Sequence, residues 1–212
     1  MIPAREEEET VGITVRSLLE AWPDLEVVVV DDGSRDRTSR RAAEAGARVL
    51  RLDPPRGKGG ALEAGAEMAS GELLLLLDAD LGREAPRFFP LLAPVFRGEA
   101  DMAVAAFPPL PGFRGFGIIR RLAREIVLRR TSILLEAPLS GQRALRRETF
   151  ERLRPLAPGY GVEVGLSLRA LEQGLRVREI RLSAGRGRVR GFWAGMPVKI
   201  RQVRDIWQAR RG

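Results

Sequence analysis

Leu73-Leu74-Leu75-Leu76-Leu77 runs straight into Asp78-Ala79-Asp80. Five leucines bounded by turn residues are too few to span a bilayer, and their length fits a strand buried on both faces, as in a parallel sheet covered by helices. Open α/β sheets bind ligands outside the carboxyl ends of their strands, so Asp78 and Asp80 emerge together at the ligand edge. Two carboxylates there suit a divalent cation or ribose hydroxyls. The competing reading is that they form a turn and cap the helix near Arg83. A second copy of the arrangement weighs against it. Val27-Val28-Val29-Val30 is a β-branched run ending in Asp31-Asp32, and Gly33-Ser34 then offers a tight turn into a helix that Ser34 or Asp36 can cap. Two buried strands that each end in an acid pair point to one shared site.

What the chain lacks narrows its chemistry. The 212 residues include no cysteine and no histidine, which excludes disulfides, thiolate catalysis and cysteine zinc sites and removes the commonest general base. Any catalysis must run on carboxylates, arginines and metal-bound oxygen. A chain of this length can bury a full core, and one domain over residues 1–212 is the simplest division. No apolar run reaches transmembrane length, and a start containing Glu6, Glu7, Glu8 and Glu9 is no signal peptide, so the cytoplasm is the expected location. The net charge of +8 conceals a split: residues 1–111 carry 13 basic and 20 acidic side chains, residues 112–212 carry 23 and 8. The basic half implies an anionic partner, phosphate groups or the anionic inner face of a membrane; no nucleic-acid recognition motif accompanies it.

Along the chain, residues 11–19 have the apolar spacing of a helix that stops before Pro23, residues 40–46 form a second helix, and residues 49–52 a short strand. Arg56-Gly57-Lys58-Gly59-Gly60 is a glycine-rich entry into a helix. It is neither a Walker A loop nor a dinucleotide fingerprint, yet it can expose backbone N–H groups and one ammonium to a phosphate or a carboxylate. Residues 102–106 are a further strand. Ile118, Ile119, Leu122, Ile126 and Val127 lie opposite Arg120, Arg121, Arg124, Arg129 and Arg130, which suits a core-packed helix with a solvated basic face or one lying on anionic lipid. Residues 137–146 form a polar turn leading into an apolar stretch, Gly159-Tyr160-Gly161 opens a helix reaching Gln173, and residues 177–182 are a last strand. Residues 183–212 interleave eight basic side chains with Phe192, Trp193, Met196, Ile200, Ile206 and Trp207, the pattern of an interfacial helix or of a terminal helix packed back on the domain.

Four of these motifs carry a resemblance. Ile2-Pro3-Ala4 with Glu7-Glu8, Val30-Asp31-Asp32-Gly33-Ser34 with Asp36 and Thr38, Gly57-Lys58-Gly59, and Leu77-Asp78-Ala79-Asp80 resemble, in order and spacing, the nucleotide-sugar half of family 2 glycosyltransferases. The likeness is nearest to the small branch around polyprenyl-phosphate (dolichol-phosphate) sugar transferases and glucosyl-3-phosphoglycerate synthases. It implies a GT-A fold: α/β, with a Rossmann-like, mostly parallel sheet covered by helices on both faces. Residues 1–106 would form the nucleotide-sugar half, 107–182 the acceptor half and 183–212 a basic amphipathic tail.

The same resemblance implies that the donor lies among Pro3, Ala4, Glu7, Asp31, Asp32, Lys58, Asp78 and Ala79, with Pro3, Glu7, Asp32 and Asp78 on the base and ribose. Asp80 would help bind Mg²⁺ or Mn²⁺ on the donor diphosphate. Gly141-Gln142-Arg143 would sit by the sugar and diphosphate, where the arginine's fork can hold phosphate. The implied reaction moves a sugar from a UDP- or GDP-sugar to a phosphate-bearing or polyprenyl-phosphate acceptor. An ionised phosphate needs little base assistance, which suits a chain without histidine; for a hydroxyl acceptor Glu163 is the candidate base. The rival is a non-catalytic nucleotide-sugar-binding or membrane-surface module of the same fold. Three departures from the family stand out. Only Met1 precedes Ile2, so the first strand is expected to be either truncated or begun at a wrong start codon; Arg5-Glu6 stand where relatives often carry Tyr-Asn; and no histidine is present as the extra metal ligand that some relatives supply.

Overall fold

The computed structural model describes residues 1–107, 114–157 and 161–183. Most of the Pro/Gly/Phe-rich stretch, the Gly159-Tyr160 helix entry and nearly all of the basic tail lie outside the described residues. The elements run β1 (Ile2–Ala4), α1 (Val11–Ala21), β2 (Val28–Asp31), α2 (Thr38–Glu44), β3 (Arg48–Arg51), α3 (Gly57–Met68), β4 (Leu73–Leu76), a 3₁₀ helix (Gly82–Leu91) continuing into α4 (Leu92–Phe96), β5 (Met102–Ala106), α5 (Arg114–Thr131), β6 (Arg143–Arg146), α6 (Arg147–Arg152), α7 (Val162–Glu172) and β7 (Val177–Arg181).

β1, β2 and β3 pair in parallel, and the second sheet has the order β4-β6-β5-β7. Two backbone hydrogen bonds join the sheets side by side: the Met1 nitrogen donates to the Leu75 carbonyl at 2.7 Å, and the Leu77 N–H donates to the Met1 carbonyl at 3.0 Å. The strand order across the molecule is therefore β3-β2-β1-β4-β6-β5-β7. β6 runs antiparallel to both β4 and β5, while β5 and β7 are parallel. The expected apolar stretch near residue 146 is thus a strand inserted between two others, and it brings the residues before it to the ends of β4 and β5. Arginines stand on both outer strands, Arg48 and Arg51 on β3 and Arg178 and Arg181 on β7, where charge discourages edge-to-edge pairing with another chain.

The leucine run behaves as its length requires. Leu75 and Leu77 pack into one apolar layer with Val11, Val15 and Leu18 of α1, and Leu74 and Leu76 pack into the layer on the other face with Leu62 of α3 and Leu166 of α7. Alternate residues of a strand point to opposite faces, so a run with no polar member is stable only when helices cover both. Pro86 and Pro90 explain the 3₁₀ segment, since each removes an N–H that a continuous α-helix would use. No helix among the described residues is long and apolar enough to cross a membrane.

Candidate functional site

The carboxyl end of β4, the start of α3, the turn before β6 and the first turn of α7 converge on one ammonium. Lys58 Nζ lies 2.7 Å from Asp78 Oδ1 and 2.7 Å from Glu163 Oε1. The second Asp78 oxygen accepts from Gln142 Nε2 at 2.6 Å. Burial alone would lower the Lys58 pKa, but the charges of Asp78 and Glu163 and their hydrogen bonds outweigh it and hold the ammonium well above the ordinary lysine range. Gly141 lies so close that a Cβ there would stand 2.7 Å and 2.8 Å from the two Asp78 oxygens and 3.0 Å from Lys58 Nζ. Any larger residue would displace the pair, which accounts for a glycine at this point of the turn.

Asp80, two residues on, is not part of this ion pair. Burial pushes its carboxyl up, and the neighbouring Asp78 charge adds to the effect against the pull of Lys58. Glu7 is likewise pushed up by burial; the Thr10 hydroxyl opposes this, and the charges of Asp80, Asp78 and Asp36 add to it. The acids at this edge therefore repel one another. Hard carboxylate oxygens with surplus negative charge fit Mg²⁺ or Mn²⁺, which take one or two carboxylates and complete the shell with phosphate and water oxygens. Among the described residues no group of three or more carboxylates is arranged to hold a metal ion.

Two expected donor ligands perform structural work. Asp32 Oδ1 accepts from the N–H groups of Arg56 at 2.6 Å and Gly57 at 3.1 Å, capping the start of α3, and Arg5 Nη1 lies 3.7 Å from its other oxygen. Asp31, fully buried, accepts from the Ser34 N–H at 2.8 Å and from the Ser39 hydroxyl, and so shapes the turn after β2. Gly33 in that turn has φ +73°, and a Cβ there would come within 2.6 Å of the Pro55 ring. Pro3 and Ala4 form the end of β1, with the Ala4 carbonyl accepting from the Asp32 N–H at 2.8 Å.

Arg143 differs from the expectation that its fork holds phosphate. The side chain is fully buried and committed to protein groups: Nε donates to the Ser140 carbonyl at 2.9 Å, Nη1 to Ser167 Oγ at 3.0 Å, and Nη2 to the carbonyls of Pro138 at 3.1 Å and Glu163 at 2.7 Å. Burial lowers its pKa to about 10, with Glu163 and Glu179 opposing the drop. The residue is a strut between the turn before β6 and α7, because a guanidinium withdrawn from water keeps its charge only where acceptors replace the solvent.

Three site-shaping residues were not singled out by the sequence. Thr14 and Ser17 of α1 bond the backbone of residues 79–82, and Glu179 of β7 accepts from the N–H groups of Glu136 at 2.8 Å and Ala137 at 2.6 Å. The legible signal for the first two was a hydroxyl pair three apart on the otherwise apolar inner stripe Val11, Val15 and Leu18.

Comparison with known proteins agrees with this geometry. A family model, Glycosyl transferase family 2, matches residues 1–154. Glucosyl-3-phosphoglycerate synthase of Mycolicibacterium paratuberculosis is 35% identical over 189 residues, covering 78% of this chain and 57% of that protein, so the chain spans little more than half the length of this relative. The crystal structure of the Mycobacterium tuberculosis glucosyl-3-phosphoglycerate synthase superposes with a TM-score of 0.77 at 29% identity over 98% of this chain and 78% of that one. A further structure of that protein, in complex with Mn²⁺, uridine diphosphate and phosphoglyceric acid, matches with a TM-score of 0.77 at 29% identity over 99% of this chain and 76% of that one.

Proposed function

This chain belongs to glycosyl transferase family 2, and on that premise we propose that it moves a hexosyl group from a nucleoside diphosphate sugar to a small phosphate-bearing acceptor. The observation that carries the proposal is the shared ammonium. Lys58 joins Asp78, which follows β4 in the expected nucleotide-sugar half, to Glu163 in the expected acceptor half, so donor and acceptor residues would share one point of charge. Uridine diphosphate and phosphoglyceric acid bound to the mycobacterial relative make UDP-glucose and phosphoglycerate the first donor and acceptor to test.

In this reading Pro3, Glu7 and Asp32 border the nucleoside, and Asp80, with donor oxygens and water, holds a divalent cation. When bound, that cation neutralises the charge developing on the departing nucleoside diphosphate. Lys58 then supplies a fixed positive charge beside the same group, and its ties to Asp78 and Glu163, with Gln142 holding the other Asp78 oxygen, stop the ammonium from drifting as the donor enters. Gly141 leaves room for the Asp78–Lys58 pair. Glu163 lies against Lys58, the place from which it would take a proton from a hydroxyl acceptor.

The test is product formation from UDP-glucose and 3-phosphoglycerate with Mn²⁺, repeated with GDP-glucose and with a chelator. Transfer that requires the cation and is lost in Asp80→Asn is expected. Donor binding without turnover over both donors and a panel of phosphate acceptors would favour a non-catalytic module.

A second reading, with the acceptor phosphate carried on a polyprenyl lipid at the inner membrane face, is favoured by three aliphatic side chains exposed around the end of α5: Leu128, Ile133 and Leu134, at 37%, 44% and 53% exposure, beside exposed Arg129. Sedimentation with anionic vesicles, reversed by salt and weakened by Ile133→Ser with Leu134→Ser, supports this reading. Indifference to vesicles leaves the soluble acceptor.

A further inference from the structure

A threonine on the core face of a helix is costly unless its hydroxyl is bonded, and Thr14 is fully buried in such a position on α1. Its one oxygen donates to the Ala79 carbonyl at 2.8 Å and accepts from the Gly82 N–H at 2.8 Å. A hydroxyl has one proton and two lone pairs, so a single atom closes residues 79–82 into a loop at both ends. One turn further along the helix, the Ser17 hydroxyl shares its proton between the Gly82 carbonyl at 2.8 Å and the Thr14 carbonyl at 2.9 Å. Gly82 itself has φ +55°, the conformation that turns its N–H and carbonyl toward α1. Asp80 is inside this closed loop. Without a fastening it would be free to swing toward solvent, away from the like charges of Asp78 and Glu7.

We propose that Thr14, assisted by Ser17, is the positioning residue for Asp80: the hydroxyl staple holds the acid at the end of β4 in the orientation that a divalent cation and the donor diphosphate require, before either arrives. The inference rests on the reading of Asp80 as a cation ligand. It goes beyond that reading by assigning the preset geometry to side chains on α1, outside the acids read as ligands. Preorganisation of this kind appears in the coupling between two ligands, because a loose Asp80 must be ordered at the expense of cation affinity. Mn²⁺ and nucleotide strengthen each other by one common factor, and that factor is what Thr14 controls.

Uridine diphosphate is titrated into the full chain with and without Mn²⁺ for the unmutated protein, Thr14→Val, Thr14→Ser and Asp80→Asn. Mn²⁺ is expected to tighten UDP binding about ten-fold or more in the unmutated protein and in Thr14→Ser, and by no more than about two-fold in Thr14→Val and Asp80→Asn. UDP affinity without metal should be the same in the unmutated protein, Thr14→Ser and Thr14→Val; Asp80→Asn removes a negative charge at the site and is read by its ratio alone. A merely structural threonine would lower the melting temperature of Thr14→Val and leave the ratio alone, so a folded Thr14→Val with the full ratio overturns the staple. Coupling absent from the unmutated protein, or retained in Asp80→Asn, overturns the cation reading of Asp80 and the positioning role with it. If Thr14→Val does not fold, Ser17→Ala, which removes the Gly82 carbonyl contact together with a bond to the Thr14 carbonyl inside α1, decides the matter: a ratio below the unmutated one supports the staple, and an equal ratio overturns it.

Discussion

Lys58 carries two carboxylates on one ammonium, and its replacement exposes what that costs the fold. Lys58→Met leaves Asp78 and Glu163 facing each other around Gly141 with no cation between them. Breaking a buried ion pair typically costs 3–5 kcal/mol, and because all three side chains keep some contact with water, a loss of about 2 kcal/mol is expected in urea unfolding at neutral pH. Since the folded-state pKa of Lys58 is raised, its contribution is fully present at neutral pH and below, and fades only as pH rises through the folded value in strong alkali. Asp80 works in the opposite sense. Its folded-state pKa is also raised, but for an acid this makes the ionised form a burden, absent below the ordinary carboxylate pKa and growing as pH rises through the folded value. Asp80→Asn should therefore raise the melting temperature of the ligand-free protein at pH 7, with the gain vanishing near the unfolded carboxylate pKa of about 4. An equal gain at both pH values would mean that charge is not its source. Stability sacrificed at the one acid proposed to hold a cation is the pattern expected of a functional position.

At the scale of elements, the start of α3 links the two acid pairs. Asp32 at the end of β2 caps this helix, and Lys58 in its first turn reaches the acid that follows β4. Asp32, expected from the sequence to border the nucleoside, therefore also serves the fold. Loss of a helix cap costs about 1–2 kcal/mol, so Asp32→Ala is expected to show a fall of that size in chemical denaturation as well as weaker UDP binding. Unchanged stability would show that the amides of Arg56 and Gly57 find another partner. α1 has a comparable double role, supplying apolar packing through Val11, Val15 and Leu18 and fastening the Asp80 turn through Thr14 and Ser17. Hydrophobic periodicity makes the first role legible and is silent about the second, because a hydroxyl on a core face shows its partner only once the neighbouring loop is in place.

Over the whole molecule, the split in charge acquires a second explanation. Arginines of the basic half pair with acids of the acidic half, Arg154 with Glu67 at 2.7 Å, Arg176 with Asp101 at 3.0 Å and Arg178 with Glu99 at 2.7 Å. Arg147 spans the same divide, donating to the carbonyls of Ala66 at 2.6 Å and Gly71 at 2.8 Å. Part of the charge that suggests an anionic partner is thus internal complementarity. Exposed pairs of this kind contribute little stability each, and what they favour is a particular docking of the two halves. Arg143 does more, since it is buried and joins residues 138–140 to α7. Arg143→Met should cost about 3 kcal/mol or more by stranding the carbonyls of Pro138 and Glu163. Because it frees the segment that carries Glu163, hydrogen exchange should rise at the start of α7 before the rest of the sheet; uniform exchange would deny it the role of a strut.

By itself the sequence determined that the chain is α/β, that the strands of the valine and leucine runs are buried on both faces, and that an acid pair follows each of them. These follow from local causes: a five-leucine strand has no other way to hide both faces, and residues that follow such strands emerge at one edge. The tertiary structure decided which polar side chains are committed to the fold. Asp32, Arg143 and Thr14 carry ordinary polar groups whose roles depend on partners 24 to 68 residues away in Asp32 and Thr14, and on the turn and helix flanking Arg143. A hydrogen bond is satisfied by geometry at about 3 Å, and no spacing along the chain encodes that distance until the strands and helices have packed.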